Sequence, residues 1–486
     1  MGSLSYICWV VCLAQIATVY GRPDFATSYQ FSATPSVSRF SSDISSLFAS
    51  MDDGLHFTMS GAIPNSESQR QLLAVFAEDF GVNARAVTDQ LQASAASTSS
   101  MGTTLSMVLS AYSNLVVYFN ANANVFLSNS VRQLGSFVAR EFFSGLVRLV
   151  TSLPRIRITV EALQNSLQNA STAADVPGDV LRSLVEALKL LKADLPLLVY
   201  SFQRIRVNLL TADAFMVPYN QDLQALSGDF MQEAVTFNLE LSRFEAAVDT
   251  MFSSVEQTFN NTGTQLDTDL TGTVESQTNF MQLKTDLKAF ASGRSLFVKN
   301  LKDAVMLASM GNRQSVLEKV STMYYVSEVY PLEAPALELA MQLIASKVFD
   351  KSCYNRHVSL VTDLPTLGRI QLNECLNTEL PRLQRLQELI VAYGALVSYD
   401  VEDLLPNLKP CRNELAASGC LVEIAAHYAR LLAARDGNAA TRAGNFFTSA
   451  VTASMNRINL CFTRVNVLTF QNVVPNLMRG MQSCGL

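Results

Sequence analysis

Apolar residues recur along this chain at alternating steps of four and three, the period that gathers them on one face of an α-helix. The longest unbroken run is Phe230, Ala234, Phe237, Leu241, Phe244, Val248, Met251 and Val255. A second stripe holds Leu105, Leu109, Tyr112, Val116, Phe119 and Phe126 and continues through Phe137 and Leu146. A third starts near Asp179 with Leu181, Leu184, Leu188, Leu191 and Leu195. After Phe259 the pattern skips to Leu266 and Leu270, then to Phe280, Leu283, Leu287 and Phe290, which predicts a stutter or local break around residues 260–263. Strand-like alternation is nearly absent, and no repeat of fixed length occurs. The chain is therefore expected to be all-α, an elongated bundle of long antiparallel helices with coiled-coil stretches over residues 61–345. With several stripes available to one another, pairing within the chain is expected ahead of a homo-oligomer seam.

Punctuation residues divide these stripes. Ser66-Glu67-Ser68-Gln69 has the form of a capping box ahead of Leu72, Leu73 and Phe76, so a helix is predicted to start there and to stop at Gly81. Pro154 is expected to break the second stripe, Pro196 to kink the third and Pro218 to end it, because the ring removes a ladder hydrogen bond. Residues 22–60 are rich in serine and weakly patterned, which predicts a mobile lead-in with at most one short helix.

The N-terminus sets the compartment. Tyr6 to Val19 is an uncharged apolar run, too short for a membrane span of about 20 residues. It closes on Val19-Tyr20-Gly21 before Arg22, the small-residue pattern of a signal-peptidase site. Residues 1–21 are thus read as a signal peptide that takes Cys8, Trp9 and Cys12 with it, leaving a secreted, extracellular chain without tryptophan. Charged residues make up only 16% of the sequence, so its polar surface must be built from Ser, Thr, Asn and Gln. A net charge of −6 provides no basic footprint, and nucleic acid is not an expected partner. No membrane span is expected either.

The six remaining cysteines, Cys353, Cys375, Cys411, Cys420, Cys461 and Cys484, all fall in residues 346–486, a separate helical domain by this reading. An even number in a secreted chain predicts a disulfide framework, and no pair has the close spacing of a zinc knuckle. Cys411 and Cys420 form a small local loop by their spacing. Cys353–Cys375 and Cys461–Cys484 are separations of similar length, as two packed helices with two staples would need, but spacing leaves the connectivity open. This block, with Cys353-Tyr354 opening a helix and Cys375 inside Asn373-Glu374-Cys375-Leu376, resembles the TsetseEP family of secreted insect proteins over roughly residues 351–484. The resemblance implies a non-enzymatic extracellular protein of gut or reproductive tract. Its mating-induced mosquito members are the subgroup in view.

Catalytic patterns are missing from the sequence: there is no HExxH, no Walker loop, no GxGxxG and no GxSxG. His56, His357 and His427 are the only imidazoles, and none stands beside a recognisable nucleophile. Asp52-Asp53 before Gly54 reads as a turn. No catalytic residue, cofactor or metal is expected. Sequons at Asn169 and Asn260 predict N-glycosylation, with Asn260 favoured by its threonine and by a bend at Gly263. Two functions fit: an interaction or structural factor that binds extracellular proteins, and a carrier holding a lipid or steroid between helices, in a cavity lined by Phe119, Phe126, Phe237 and Phe244. N-terminal sequencing of protein released into medium should find a mature chain that begins near Arg22; an intact Met1 on the released form would contradict the leader.

Overall fold

A computed structural model describes residues 24–27, 29–97, 101–268, 299–307, 332–346, 351–413 and 438–484, with isolated positions at 281–288 and 419–430. The leader and the stripe positions Leu270, Phe280, Leu283, Leu287 and Phe290 lie outside the described residues. Those described are helical almost throughout and form no strand. The helices are α1 (Thr34–Asp52), α2 (Ser66–Ala95), α3 (Met101–Leu134), α4 (Ser136–Asn169), α5 (Gly178–Thr268), α6 (Glu333–Ile344), α7 (Ser352–Glu402), α8 (Leu404–Leu408), α9 (Asn438–Val465) and α10 (Val474–Ser483). No described helix is long and apolar enough to cross a membrane.

The chain divides into two compact units, but not at residue 345. One unit comprises Met1–Asn220, Pro335–Ser359 and Met478–Leu486; the other comprises Gln221–Ala334 and Leu360–Leu477. The division falls inside α5 because compactness follows which stripes pack together, and one continuous helix can offer its stripe to two cores.

In the first unit, α1 packs on α2, α2 on α3 and α3 on α4. The serine-rich segment is thus not a mobile lead-in over most of its length. Thr34, Val37, Ser41, Ile44, Phe48 and Met51 are buried at steps of three and four, with Pro35 in the first turn, where its missing N–H costs nothing. Serine at one position of the stripe hides its period. Nor does Gly81 stop α2. A Cβ there would lie 3.1 Å from the Phe48 carbonyl oxygen, so glycine lets the α1 backbone approach. That helix ends at Ala95, and further on Gly135, whose φ of 95° lies in a region that side-chain-bearing residues rarely adopt, turns the chain between α3 and α4.

Pro154 lies within α4, and both Pro196 and Pro218 lie within α5. An interior proline costs a helix about 3 kcal/mol. Around Pro196, Leu188, Leu191, Leu195, Leu198 and Phe202 are each at most 1% exposed. Burying a side chain of this size contributes about 1.5–3 kcal/mol, so the stripe outweighs the ring. Pro196 and Pro218 also face outward, where carbonyls freed from the ladder can meet water.

The core of this unit is aromatic. Phe76 stacks on Phe126 with ring centroids 4.0 Å apart, Phe126 meets Phe142 edge-on at 4.9 Å, and Phe142 lies 4.7 Å from Phe202. One ring each from α2, α3, α4 and α5 therefore closes the centre. Phe126 is part of this packing, and Phe119 lies half-buried near Phe80.

In the second unit Phe230, Ala234, Phe237, Leu241, Phe244 and Val248 are buried, as their spacing predicts. Phe252, rather than Met251, continues the seam to Val255 and Phe259. The predicted break is not there: Thr262, 7% exposed, takes the next stripe position and leads to Leu266 at 2%. From α9 into α10 the buried residues Phe447, Val451, Met455, Ile458, Phe462, Val465, Thr469, Val474 and Leu477 keep steps of three and four except one step of five. That step coincides with the π-helical segment Asn466–Val473, whose wider turn keeps Thr469 and Val474 on the same face.

The disulfides are Cys353–Cys484, Cys375–Cys461 and the local Cys411–Cys420, each with Cα atoms 5.7 Å apart. The first two are nested, as antiparallel segments require. The small loop is anchored where Cys411 joins Leu266, Leu404, Leu405, Leu408 and Tyr428 in one apolar cluster.

Phe142 is fully buried while its neighbour Phe143 is 54% exposed. Phe142→Ala is expected to lower stability by roughly 3–5 kcal/mol. Phe143→Ala should stay within about 0.5 kcal/mol of the parent. Denaturant unfolding followed by circular dichroism distinguishes the two.

Candidate ligand groove

The first unit carries a cleft of about 600 Å³ beside the start of α2, lined by Ile63, Pro64, Asn65, Ser68, Gln69, Arg132, Gln133, Leu337 and Met341. Its lining mixes apolar Ile63, Pro64, Leu337 and Met341 with polar residues. Its position follows from a cap that does not form. Asn65 is the N-cap, in the left-handed region at φ 62°, and makes no side-chain cap hydrogen bond. Ser66 is buried, and Gln69 does not reach back to close a capping box. Instead the Gln69 amide crosses to α3, where its Nε2 donates to the Gln133 carbonyl oxygen at 2.7 Å and lies 3.9 Å from the Met341 sulfur.

Gln69 is 2% exposed, and both its Oε1 and that of Gln133 are buried acceptors with no hydrogen-bond partner. Buried polar atoms are nearly always satisfied, so each of these oxygens calls for a donor, an ordered water or a ligand hydroxyl or amine. Sequence reasoning missed them: Gln69 read as the closing residue of a capping box, although it also stands at a stripe position ahead of Leu73, Phe76 and Phe80.

An adjoining groove of about 370 Å³ shares Ser68 and Gln133 and runs between α2 and α3 over Leu72, Val75, Phe76, Tyr118, Val125 and Phe126. Val75 and Val125 are each 58% exposed. Burial, reinforced by the Asp79 charge, pushes the Tyr118 hydroxyl up to about 12, so it stays neutral at physiological pH. The stacked Phe76 and Phe126 rings close this groove from below.

The other candidate residues are dispersed. His56 is exposed and meets the Asp52 carboxylate at 3.2 Å. His427 is exposed, edge-on to Tyr428. His357 is buried beside the Cys353–Cys484 disulfide; burial, then the Arg356 charge, lowers its pKa. Asp52 and Asp53 close α1 into a turn through Gly54 at φ 71°, as predicted. Asn169 is exposed at the end of α4, followed by extended Ala170. Asn260 is exposed inside α5 with its sequon partner Thr262 buried, so the bend that favoured this sequon does not exist.

In the second unit the Glu379 carboxylate, 3% exposed, is buried. Glu379 accepts from Ser454 Oγ at 2.7 Å and from Arg457 Nε and Nη2 at 2.8 and 2.9 Å, and it pairs with Arg382. Burial alone would raise its pKa, but the hydrogen bonds from Arg457, Ser454 and Arg382 outweigh it and hold the carboxyl below its ordinary 4.5. Every strong acceptor position is taken, which makes this a structural clamp between α7 and α9.

No family model, curated protein sequence or solved structure matches the chain.

A carboxyl with a depressed folded-state pKa stabilises the fold above its unfolded pKa and loses that contribution as pH falls through the folded value. Glu379→Gln should therefore cost roughly 1–3 kcal/mol at pH 7. The difference from the parent should shrink as the pH is lowered below 4.5, where the parent's own carboxyl takes up its proton. Melting temperatures of both proteins across that range test it; a gap independent of pH would mean the charge is not what matters.

Proposed function

We propose that this chain is a secreted, non-enzymatic interaction protein whose α2/α3 groove receives an apolar segment of an extracellular protein partner. The observation that carries this reading is the exposure of Val75 and Val125, with Leu72 half-buried beside them, over a core already closed by Phe76 and Phe126. Apolar side chains left on a groove floor have most to gain from a partner's side chains, because water is displaced from both surfaces. A filled core supports docking on the outside over enclosure within. The cysteine block supports an extracellular setting, since disulfides persist in oxidising compartments. Its resemblance to the TsetseEP family supports an insect gut or reproductive tract, with the female response to mating as the context.

One observation favours a second reading, a carrier of a lipid or steroid. The cleft of about 600 Å³ combines apolar Ile63, Pro64, Leu337 and Met341 with the amide side chains of Gln69 and Gln133, a pattern that suits a hydroxylated apolar molecule. The two readings part in experiment. Immobilised protein should recover specific partners from native secretions, and Val75→Glu with Val125→Glu should abolish recovery without lowering the melting temperature. A saturable, one-to-one thermal stabilisation by a sterol or fatty acid, lost in Gln69→Leu while partner recovery is absent, would make the chain a carrier instead.

A further inference from the structure

Three donor groups from distant parts of the sequence meet in the first unit. The sulfur atoms of Cys353 and Cys484 and a ring nitrogen of His357 all lie within 4.8 Å of one another. Cys353 and His357 stand one turn apart on the same face of α7, and Cys484 follows α10, 131 residues further along the chain. Donors around a tetrahedral zinc ion lie roughly 3.3–3.8 Å apart, so side-chain rotation alone could gather these three.

His357 is the unusual member. It is 7% exposed, and neither ring nitrogen has a hydrogen-bond partner. A buried imidazole is normally oriented by a carboxylate, a carbonyl or a metal ion. Here the sulfur pair is what it faces. Gly480 makes room for the ring, since a Cβ at that position would lie 3.4 Å from His357 Cε1.

We propose that Cys353, His357 and Cys484 form a thiol-gated site for Zn²⁺: the disulfide excludes the ion, and its reduction by a small-molecule thiol creates a two-sulfur, one-imidazole donor set that binds it. Two small thiols break the Cys353–Cys484 S–S bond, giving two cysteine thiols and one small-molecule disulfide. Zn²⁺ then displaces the two thiol protons to solvent, and His357 contributes its lone pair without losing a proton. A small-molecule disulfide reverses the sequence, reoxidising the cysteines and releasing the ion. In this staple both cysteines are half-buried, whereas each of the other two pairs a half-buried cysteine, Cys461 or Cys420, with a buried one, Cys375 or Cys411. The ion would replace the covalent link between the same two segments, with three protein ligands and a fourth position for water or an exchanging ligand.

The test uses the full chain, titrated with a small thiol, with alkylation and peptide mapping to identify which disulfide has opened. Equilibrium dialysis should find no stoichiometric Zn²⁺ on the oxidised protein and about one ion per chain once Cys353–Cys484 is open. Co²⁺ in its place should give thiolate-to-metal charge-transfer bands. His357→Ala, which keeps the disulfide and can be checked for folding while oxidised, should weaken binding at least tenfold. If reduction alone lowers the helical content, Zn²⁺ should restore it. Binding to the oxidised protein, no binding after this pair opens, unchanged affinity in His357→Ala, or a reduced chain that stays unfolded with Zn²⁺ present would each overturn the proposal.

Discussion

Each helix of this protein carries one apolar stripe, and no other feature of the structure can be satisfied until that stripe is covered. With charged residues at only 16%, long-range electrostatics offers little to hold helices in place. Burial must do so, and it acts through side chains that recur every turn. The consequence is clearest where local preference opposes it. Pro154, Pro196 and Pro218 each remove a backbone hydrogen bond, yet the helices continue because the leucines and phenylalanines around them bury more free energy than the ring costs.

Polar residues set into the stripes decide where the pattern acquires further properties. Ser41 and Thr262 are small enough to be absorbed, and the helix simply passes through them. Thr469 sits at the one place where the stripe steps by five, and its hydroxyl donates to Gln371 Oε1 at 3.1 Å across to α7. Gln69 is larger and cannot be absorbed silently. Its amide nitrogen finds the Gln133 carbonyl while its oxygen does not find a donor, and the chain around it opens into a cleft. The candidate site thus arises from the same stripe that builds the core, at the position where a polar side chain replaces an apolar one.

The staples answer a different need. A disulfide closing a loop of 86 or 131 residues restricts the unfolded chain, by about 4–5 kcal/mol in the chain-entropy account. Packing and disulfides therefore act on different states: the stripes stabilise the folded helices, and the nested bridges penalise the unfolded chain. Glu379 adds a third kind of link, a buried carboxylate whose acceptor positions are filled from α7 and α9.

By itself, the sequence determined the all-α class, the seam from Phe230 to Val255, the Asp179 stripe from Leu181 to Leu195 and the local Cys411–Cys420 loop. All of these depend on spacing within a few turns, where the geometry of one helix is the whole constraint. Gly81 read as a stop, residues 22–60 as a lead-in and Pro154 as a break, because isolated helices would behave so. Tertiary packing reversed each reading: Phe48 needs Gly81 to approach α2, Ser41 is carried inside a buried stripe, and Pro154 sits in α4 between buried Leu149, Leu153 and Ile156. Only the tertiary structure could decide the nested disulfide pairing, the division of α5 between two units, the cleft at Gln69 and the meeting of His357 with Cys353 and Cys484. Each depends on which residues become neighbours after more than a hundred intervening positions or across a helix interface, and helical periodicity encodes which face is buried but not what buries it.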